Sequence, residues 1–295
     1  MALSINSNGL ASISAYYLGQ AYDSLEVSTR RLSSGLRING ASDDPAGLAV
    51  REMMRAEIAS LNQGVRNAND AISLLQTADG ALSVIDEKLI RMKELSTQAS
   101  TGTYTQDQRL ILDSEYQAMA TEITRIANAT DFNGIYLLNG NLSSSTHNGT
   151  TLTPTGKMKV HFGSKNNSDA DYYYIQISRS TASAFGVGST ATTTNGKSIS
   201  TQSLAQNALA QIDKAIVSKD KIRANLGALQ NRLQNTVQAL QLQSENLQLA
   251  EAQISDVDLA TEMANYVRGQ ILSQSATAML SQANTLPQLA LALLR

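Results

Sequence analysis

The sequence has 295 residues, a formal net charge of −2, no cysteine, no tryptophan and only three prolines. The lack of cysteine excludes disulfides, thiolate catalysis and zinc–thiolate sites, and the balanced charge provides no global field that would attract nucleic acid or an anionic membrane. With so few helix breakers and so few large aromatic side chains, the composition favours long helices with narrow contacts over a compact enzyme core.

Both ends of the chain are nearly uncharged. Residues 1–22 carry no charged side chain, and residues 259–295 carry only three. Because exposed ends of soluble proteins normally carry charge, we expect these ends to be buried against a partner. The N-terminus lacks the basic region and long apolar core of a secretory signal, and the longest apolar run, residues 289–294, is too short to span a bilayer. The sequence therefore predicts a soluble chain without a cleaved signal.

Three helices are predicted in the first half of the chain. The first covers residues 3–32, and the second runs from Asp44 to about Gln98, where one apolar row repeats every seven residues, as is typical of a coiled coil or bundle helix. That row consists of Met54, Leu61, Ala68, Leu75, Leu82 and Leu89. A third, shorter helix is predicted over residues 106–128 and should fold back on the second.

The middle of the chain differs from both halves. Residues 157–162 and 171–178 alternate between apolar and polar side chains, which predicts two strands, and Ser/Thr/Gly-rich loops surround them. Helix resumes at about Ser203, and a last helix begins at Leu259 and reaches about Asn284. The heptad row of the long helix is Leu226, Leu233, Leu240, Leu247 and Ile254, and the apolar positions of the last helix are Leu259, Met263, Val267, Ile271 and Leu280.

The predicted fold is mainly α: a long antiparallel, coiled-coil-like helical bundle formed by the N- and C-terminal halves, with a small inserted β element. Each long helix needs an apolar partner, and the other half of the chain supplies one. The predicted divisions are an N-terminal helix and joint (1–43), the first half of the bundle (44–140), a short variable β and loop region (141–202), the second half of the bundle (203–255) and a C-terminal helix (256–295).

The polar joint between the first two helices is the strongest candidate for a ligand loop. Its glycines match neither G-x-G-x-x-G nor a phosphate-binding loop, and residues 191–198 are a near miss that lacks the first glycine. We interpret Asp43 and Asp44 as helix caps rather than metal ligands, with Ser42 as another possible cap, since Pro45 suits the first helical position. Asp256 and Asp258 receive the same interpretation.

The remaining chemical candidates are weaker. His147 and His161 are the only histidines, and both lie in the β region without the spacing of a metal site. The S-x-x-K pattern at residues 218–221 lacks its companion motifs, and we interpret it as a solvated charge run. No catalytic, cofactor-binding or metal site is predicted, so we do not expect an enzyme.

The joint itself carries a family resemblance. RLSSGLRINGASDDPAGLAV, residues 31–50, closely resembles the signature of bacterial flagellins. The resemblance covers about residues 1–140 and 205–295, in order, and the unmatched middle is short, as in flagellins with a reduced central region. Its further motifs are NQGVRNANDAISLLQTADGAL (62–82), DFNG (131–134), LGALQNRLQNTV (226–237), DLATEMANYVRGQIL (258–272) and the final LLR.

This resemblance implies a structural subunit that assembles with itself into the helical flagellar filament and serves motility. It further implies export through the flagellar type III apparatus, an extracellular location, and paired terminal helices lining the inner core of the filament. The implied partners are other copies of the chain, the flagellar cap, the hook–filament junction proteins and an export chaperone, with no cofactor, nucleic acid or membrane.

The sequence leaves two other functions open. A hook–filament junction protein shares flagellin-like ends but would be scarce in sheared filaments, whereas a subunit would dominate them. An enzyme or ligand-binding module in the β region would need a catalytic or binding cluster that the sequence lacks.

The resemblance also implies recognition by the vertebrate Toll-like receptor that senses flagellin. Aligned through RMKELSTQ and LDSEYQ, the family's contact residues fall on Arg91, Leu95 and Glu115. On a helical projection the core stripe spans roughly 80°, and Arg91, Leu95 and Gln98 fall on roughly the opposite side. We therefore expect Leu95 to face away from its own bundle and to serve both a receptor and a neighbouring subunit. The core stripe consists of Leu82, Ile85, Leu89 and Met92.

Overall fold

The computed structural model describes residues 8–144, 156–168, 170–188 and 196–293, and these ranges confirm a mainly α fold with small antiparallel sheets. The helices within them are α1 (Gly9–Ser34), α2 (Pro45–Ser100), α3 (Gln106–Ala129), α4 (Ala182–Phe185), α5 (Gln202–Ser255) and α6 (Leu259–Leu293). The strands are β1 (Asp131–Phe132), β2 (Ile135–Tyr136), β3 (Met158–His161) and β4 (Tyr172–Ile175).

The chain divides into two compact units, one of residues 59–244 and the other of residues up to Ile58 together with those from Glu245 onward. Both boundaries fall inside long helices, α2 and α5. The five divisions expected from the sequence remain a prediction.

The unit of residues 59–244 has an apolar core built on heptad rows. On α2 the predicted row is buried from Leu61 to Leu89, and on α5 Leu226, Leu233 and Leu240 are buried. Ion pairs between the two helices show that they run antiparallel, since Asp79 pairs with Arg223 and Lys93 pairs with Asp213. The predicted antiparallel pairing of the two halves is therefore confirmed in this unit.

The predicted β element lies against α2. β3 and β4 pair antiparallel, with His161 opposite Tyr172. The Asn67 side-chain amide on α2 donates a hydrogen bond of 2.8 Å to the His161 carbonyl. Gly64, one turn earlier, packs directly against the Phe162 carbonyl, so a side chain at this position would clash with the strand backbone. The hairpin is thus fixed to α2 through backbone contacts.

The second unit pairs α1 with α6 through small and polar side chains. The Asn8 side-chain amide donates to the Ala283 carbonyl at 2.8 Å, and Gly269 packs against Leu25. The side chains that are buried in this pair are short or polar rather than large and apolar. They are Ala21, Ser28, Glu262, Ser273 and Ala283.

The polar joint after α1 folds as a capping loop. Asp44 Oδ1 accepts hydrogen bonds from the backbone N–H groups of Ala46 and Gly47, and Pro45 is the first residue of α2, which confirms the capping interpretation. Asp43 instead accepts from the N–H groups of Asn39 and Gly40 and closes the loop itself.

A second joint precedes α6. Asp258 caps this helix by accepting hydrogen bonds from the N–H groups of Ala260 and Thr261. The expectation that Asp256 also caps a helix is wrong, because Asp258 occupies the capping position directly before α6, and the Asp256 backbone pairs with Leu36 in an antiparallel bridge. The Arg37 N–H donates to the Ser255 carbonyl at 2.7 Å in the same contact.

The last helix does not end near Asn284 but continues through Pro287 to Leu293. His147 and residues 191–195 of the near-miss phosphate loop lie outside the described residues. Across the helices of the described ranges, none is both long and apolar enough to cross a bilayer.

Candidate functional site

Arg91 and Glu115 come together at the surface formed by α2 and α3. Arg91 Nε and Nη2 both donate to Glu115 Oε1, at 2.9 and 2.8 Å, while Nη1 donates to Glu94 Oε2 at 3.0 Å. The hydrogen bonds from the guanidinium to Glu115, and then to Glu94, raise the pKa of Arg91, which stays charged. Both side chains are about half exposed, so this charge pair is available to a partner.

The expectation that Leu95 faces away from its own bundle is wrong. Leu95 is 1% exposed and belongs to the core together with Met92, Ser96 and Ala99. Residues three apart on a helix lie only about 60° apart, so Leu95 extends the stripe that contains Met92. The stripe is wide here because α3 turns back along α2, as the 2.9 Å hydrogen bond from Arg109 Nε to the Ala99 carbonyl shows.

The exposed apolar residue of this surface is Ile90, which is 49% exposed. It lines a shallow groove on the outer side of α2 with Lys93, Glu94 and Thr97. The exposure of Ile90 was not predicted from the sequence, although a signal for it exists. Ile90 stands among the charged residues Glu87, Arg91 and Lys93, and charged residues mark the solvent face of a helix.

The terminal helices expose an unusual number of large apolar side chains. Most of them recur at three- or four-residue spacing, and this spacing gives each helix an apolar face that its partner helix does not cover. On α1 they are Leu10, Ile13, Tyr16, Tyr17 and Tyr22, and on α6 they are Leu259, Met263, Val267, Ile271, Leu272 and Met279. We call these two sets the terminal apolar faces.

A groove of about 750 Å³ runs between α1 and α6, and Tyr17, Val27, Leu272 and Met279 contribute its apolar lining. At one end Glu262 is 6% exposed, which is rare for a carboxylate. Its charge is compensated, because Ser28 Oγ donates to it at 2.5 Å and the Arg31 guanidinium lies 3.7 Å away. The groove is therefore a packing surface with one satisfied carboxylate.

The interpretation of residues 218–221 as a solvated charge run is wrong for Lys219, which is 2% exposed. Its ammonium lies 2.6 Å from Asp86 Oδ1 on α2 and 2.7 Å from Asp220 Oδ1. The signal that could have revealed it is spacing, since Lys219 stands seven residues from Ile212 and from Leu226, both buried.

No cluster of three or more histidine, cysteine, aspartate or glutamate side chains that could hold a metal ion occurs in the described parts of the chain. The described surface offers apolar helix faces and exposed ion pairs, among them Arg91–Glu115, which suit contacts with other proteins.

Comparisons with known proteins agree with this description. Residues 5–143 match the model of the bacterial flagellin N-terminal helical region, and residues 209–294 match that of the C-terminal helical region. The chain is 40% identical over 291 residues to flagellin FlaB2 of Treponema pallidum (strain Nichols), covering 99% of both chains. It is 39% identical over 309 residues to the flagellin of Bacillus subtilis (strain 168), again covering 99% of both.

Among solved structures, the chain is similar to the crystal structure of Bacillus cereus flagellin. The identity is 27%, the TM-score is 0.46, and the match covers 59% of this chain and 88% of the other.

Proposed function

Because this chain belongs to the bacterial flagellin family, and is thus a structural subunit of the extracellular flagellar filament, we propose that the terminal apolar faces are the surfaces through which its copies assemble. The observation that carries this proposal is the exposure of large side chains on α1 and α6, such as Tyr16 at 70% and Met279 at 62%. Neighbouring copies would cover these faces and remove them from water.

The same feature supports the remaining steps of the proposal. Helices that bury mainly short side chains gain little from pairing alone, so α1 and α6 depend on neighbouring copies for stability. A chain whose ends are weakly ordered before assembly is suited to export in an unfolded state through the flagellar type III apparatus. The flagellar cap, the hook–filament junction proteins and an export chaperone would bind the same neutral ends.

Seeded polymerisation tests the assembly proposal. We expect that deletion of residues 1–30 or of residues 266–295 leaves a soluble helical protein that adds to no filament seed in electron micrographs. Long filaments formed by either truncated chain would overturn the proposal. The junction-protein alternative is decided by abundance, because a filament subunit dominates the protein mass of sheared filaments.

We further propose that the free monomer is recognised by the flagellin-sensing Toll-like receptor through Arg91 and Glu115. Arginine is among the residue types that most often carry binding energy at protein interfaces, and Glu115 holds the half-exposed Arg91 guanidinium in place at this surface. Leu95 belongs in this proposal only as a buried support for the surface, since its side chain is in the core.

A reporter-cell assay with soluble monomer tests the receptor proposal. Arg91→Ala and Glu115→Ala should each lower potency by about tenfold or more, whereas Arg125→Ala should not. Arg125 is the matched control, because it forms a similar exposed pair with Glu122 within α3. Leu95→Ala is unsuitable because a core cavity costs about 2–5 kcal/mol and would disturb the fold. Full potency of the Arg91 variant would remove the receptor proposal.

A further inference from the structure

The heptad core of residues 59–244 does not by itself define how far α2 and α5 are shifted along each other. The buried row of α2 repeats every seven residues from Leu61 to Leu89, and the buried row of α5 repeats at the same interval. A shift by one heptad, about 10 Å along the axis, would again place apolar residues opposite apolar residues. The register therefore needs a second source of specificity.

Lys219 interrupts the apolar row of α5. Ile212, Leu226, Leu233 and Leu240 occupy the other positions of this row at seven-residue spacing, and all of them are buried. Lys219 is buried to the same degree and is neutralised by Asp86 of α2. A single charged residue at a core heptad position typically lowers stability and specifies register, because the alternative alignments differ in the charges that they place beside it.

Two further pairs flank Lys219 and complete a ladder of charges. Arg223 contacts Asp79 at 2.7 Å, and Lys93 contacts Asp213 at 2.6 Å. The α2 members, Asp79, Asp86 and Lys93, are spaced by seven residues each. Along α2 the signs are negative, negative and positive, and the facing residues of α5 carry the opposite signs. The third pair is thus reversed relative to the other two.

The reversed pair penalises a one-heptad shift in either direction. In one direction, each α5 residue would face the α2 residue seven positions later, so Lys219 would face Lys93. In the other direction, each would face the residue seven positions earlier, so Asp213 would face Asp86. Like charges that face each other are unfavourable, and the effect is largest for Lys219, which water does not reach.

We propose that Lys219, together with the reversed pair Lys93–Asp213, specifies the register in which α2 pairs with α5. The pair acts less by its own attraction, which is small for exposed charges, than by the repulsion that it creates in the shifted alignments. In a subunit that must present the same surface in every copy, a uniform register is a requirement for assembly.

Cysteine cross-linking in the full-length monomer measures the register, because the natural sequence has no cysteine. Asn62 Oδ1 lies 3.3 Å from Ser244 Oγ, so Asn62→Cys with Ser244→Cys reports the native register. Asn69→Cys with Ser244→Cys reports one shifted alignment, and Asn62→Cys with Val237→Cys reports the other. In the native register the latter two pairs are separated by one heptad, too far for a disulfide.

The decisive variant carries Lys93→Asp and Asp213→Lys together. This variant keeps an ion pair between positions 93 and 213 in the native register. If the pair acted only through its attraction, the yields of the shifted cross-links would therefore not change. Our proposal predicts that both shifted cross-links increase about tenfold or more, because each shift now brings opposite charges together. Cross-linking of the double variant only in the native register, at the yield of the unaltered background, would overturn the proposal.

A second variant decides the case even if the double variant loses its helical circular dichroism. Lys219→Leu removes the lysine–lysine repulsion but leaves Asp213 and Asp86, so only the Asn69–Ser244 cross-link should increase. Arg223→Leu is the matched control: it also removes one cation from α5, but that cation takes part in neither like-charge contact. If the Asn69–Ser244 cross-link increased equally in the two variants, the increase would result from lost stability. That outcome would refute the proposal that Lys219 specifies the register.

Discussion

The two units of the molecule both pair long helices, but they bury different side chains. In residues 59–244, Leu75, Leu82 and Leu89 are fully buried and face a leucine row on α5. In the pair formed by α1 and α6, the buried residues are short or polar, while large apolar residues such as Ile271 are more than half exposed.

This difference separates a unit that is stable in one chain from a unit completed by other chains. Burial of apolar area contributes about 25 cal/mol per Å², so a row of buried leucines stabilises residues 59–244 without a partner. The terminal pair leaves much of its apolar area in water, and it gains that contribution only when further copies cover the terminal apolar faces. Substitutions at four sites, the heptad core, the hairpin contact, the terminal apolar faces and the polar joint, test this difference, and we take them in order of their expected effect on the unfolding of the monomer.

The largest effect is expected for a charge in the heptad core. Leu233→Asp places an unpaired carboxylate where the side chain is 1% exposed, and it should lower the free energy of unfolding by about 4 kcal/mol or more. Leu75→Asp on α2 should act in the same way. Thermal melting followed by circular dichroism measures the change.

Leu242→Asp is the control for this substitution, because Leu242 lies on the same helix and is 61% exposed. It should shift the free energy of unfolding by no more than about 0.5 kcal/mol. Equal melting of Leu233→Asp and the unaltered protein would contradict the assigned core.

The heptad rows explain why this part of the fold could be predicted from sequence. A seven-residue repeat maintained across α2 and α5 determines which face is buried, whatever the details of the partner. Leu95 was wrongly predicted to be exposed, because the helical projection assumed that α2 has one buried face, whereas packing against α3 buries a second. Lys219 was wrongly predicted to be solvated, because the short charged motif was interpreted without regard to the heptad row in which Lys219 lies. The first error concerns tertiary context, which a local pattern does not contain, whereas the heptad spacing of Lys219 was present in the sequence.

A smaller destabilisation is expected where the β hairpin meets α2. Alanine normally stabilises a helix relative to glycine by about 1 kcal/mol. Gly64→Ala should instead destabilise the protein by about 1–3 kcal/mol, because the new methyl group would clash with the Phe162 carbonyl of the hairpin.

Gly80→Ala on the same helix is the matched control, since no atom lies within 4 Å of the position that its methyl group would occupy. It should raise the stability by up to about 1 kcal/mol. Stabilisation by both substitutions would show that the hairpin is not fixed to α2 at Gly64. Chemical denaturation of the two variants gives the comparison.

Next in size is a substitution on the terminal apolar faces, which should separate folding from assembly. Ile271→Asn should change the free energy of unfolding of the monomer by no more than about 0.5 kcal/mol, because Ile271 is 57% exposed. It should nevertheless raise the concentration needed for seeded polymerisation by about tenfold, the factor that corresponds to about 1.4 kcal/mol. Gln274→Asn, three residues later, controls for the lower helix propensity of asparagine. Normal polymerisation of Ile271→Asn would show that Ile271 is not buried by assembly.

The smallest effect concerns acid and the polar joint of the terminal unit. Hydrogen bonds from the Asn39 and Gly40 N–H groups, together with the charges of Arg30 and Arg31, hold the pKa of Asp43 below its usual value of 3.8. Since the folded-state pKa is the lower one, the contribution of this carboxylate is complete above about pH 4 and is lost as the pH falls through the folded value. In the monomer, the Asn39 and Gly40 amide resonances should therefore titrate with a midpoint below 3.8. Asp43→Asn should abolish the titration, because the amide cannot ionise and still offers an oxygen to the loop. A midpoint at or above the usual value would mean that these backbone hydrogen bonds do not favour the charged carboxylate, and the joint would then depend on its bridge to the segment before α6 alone.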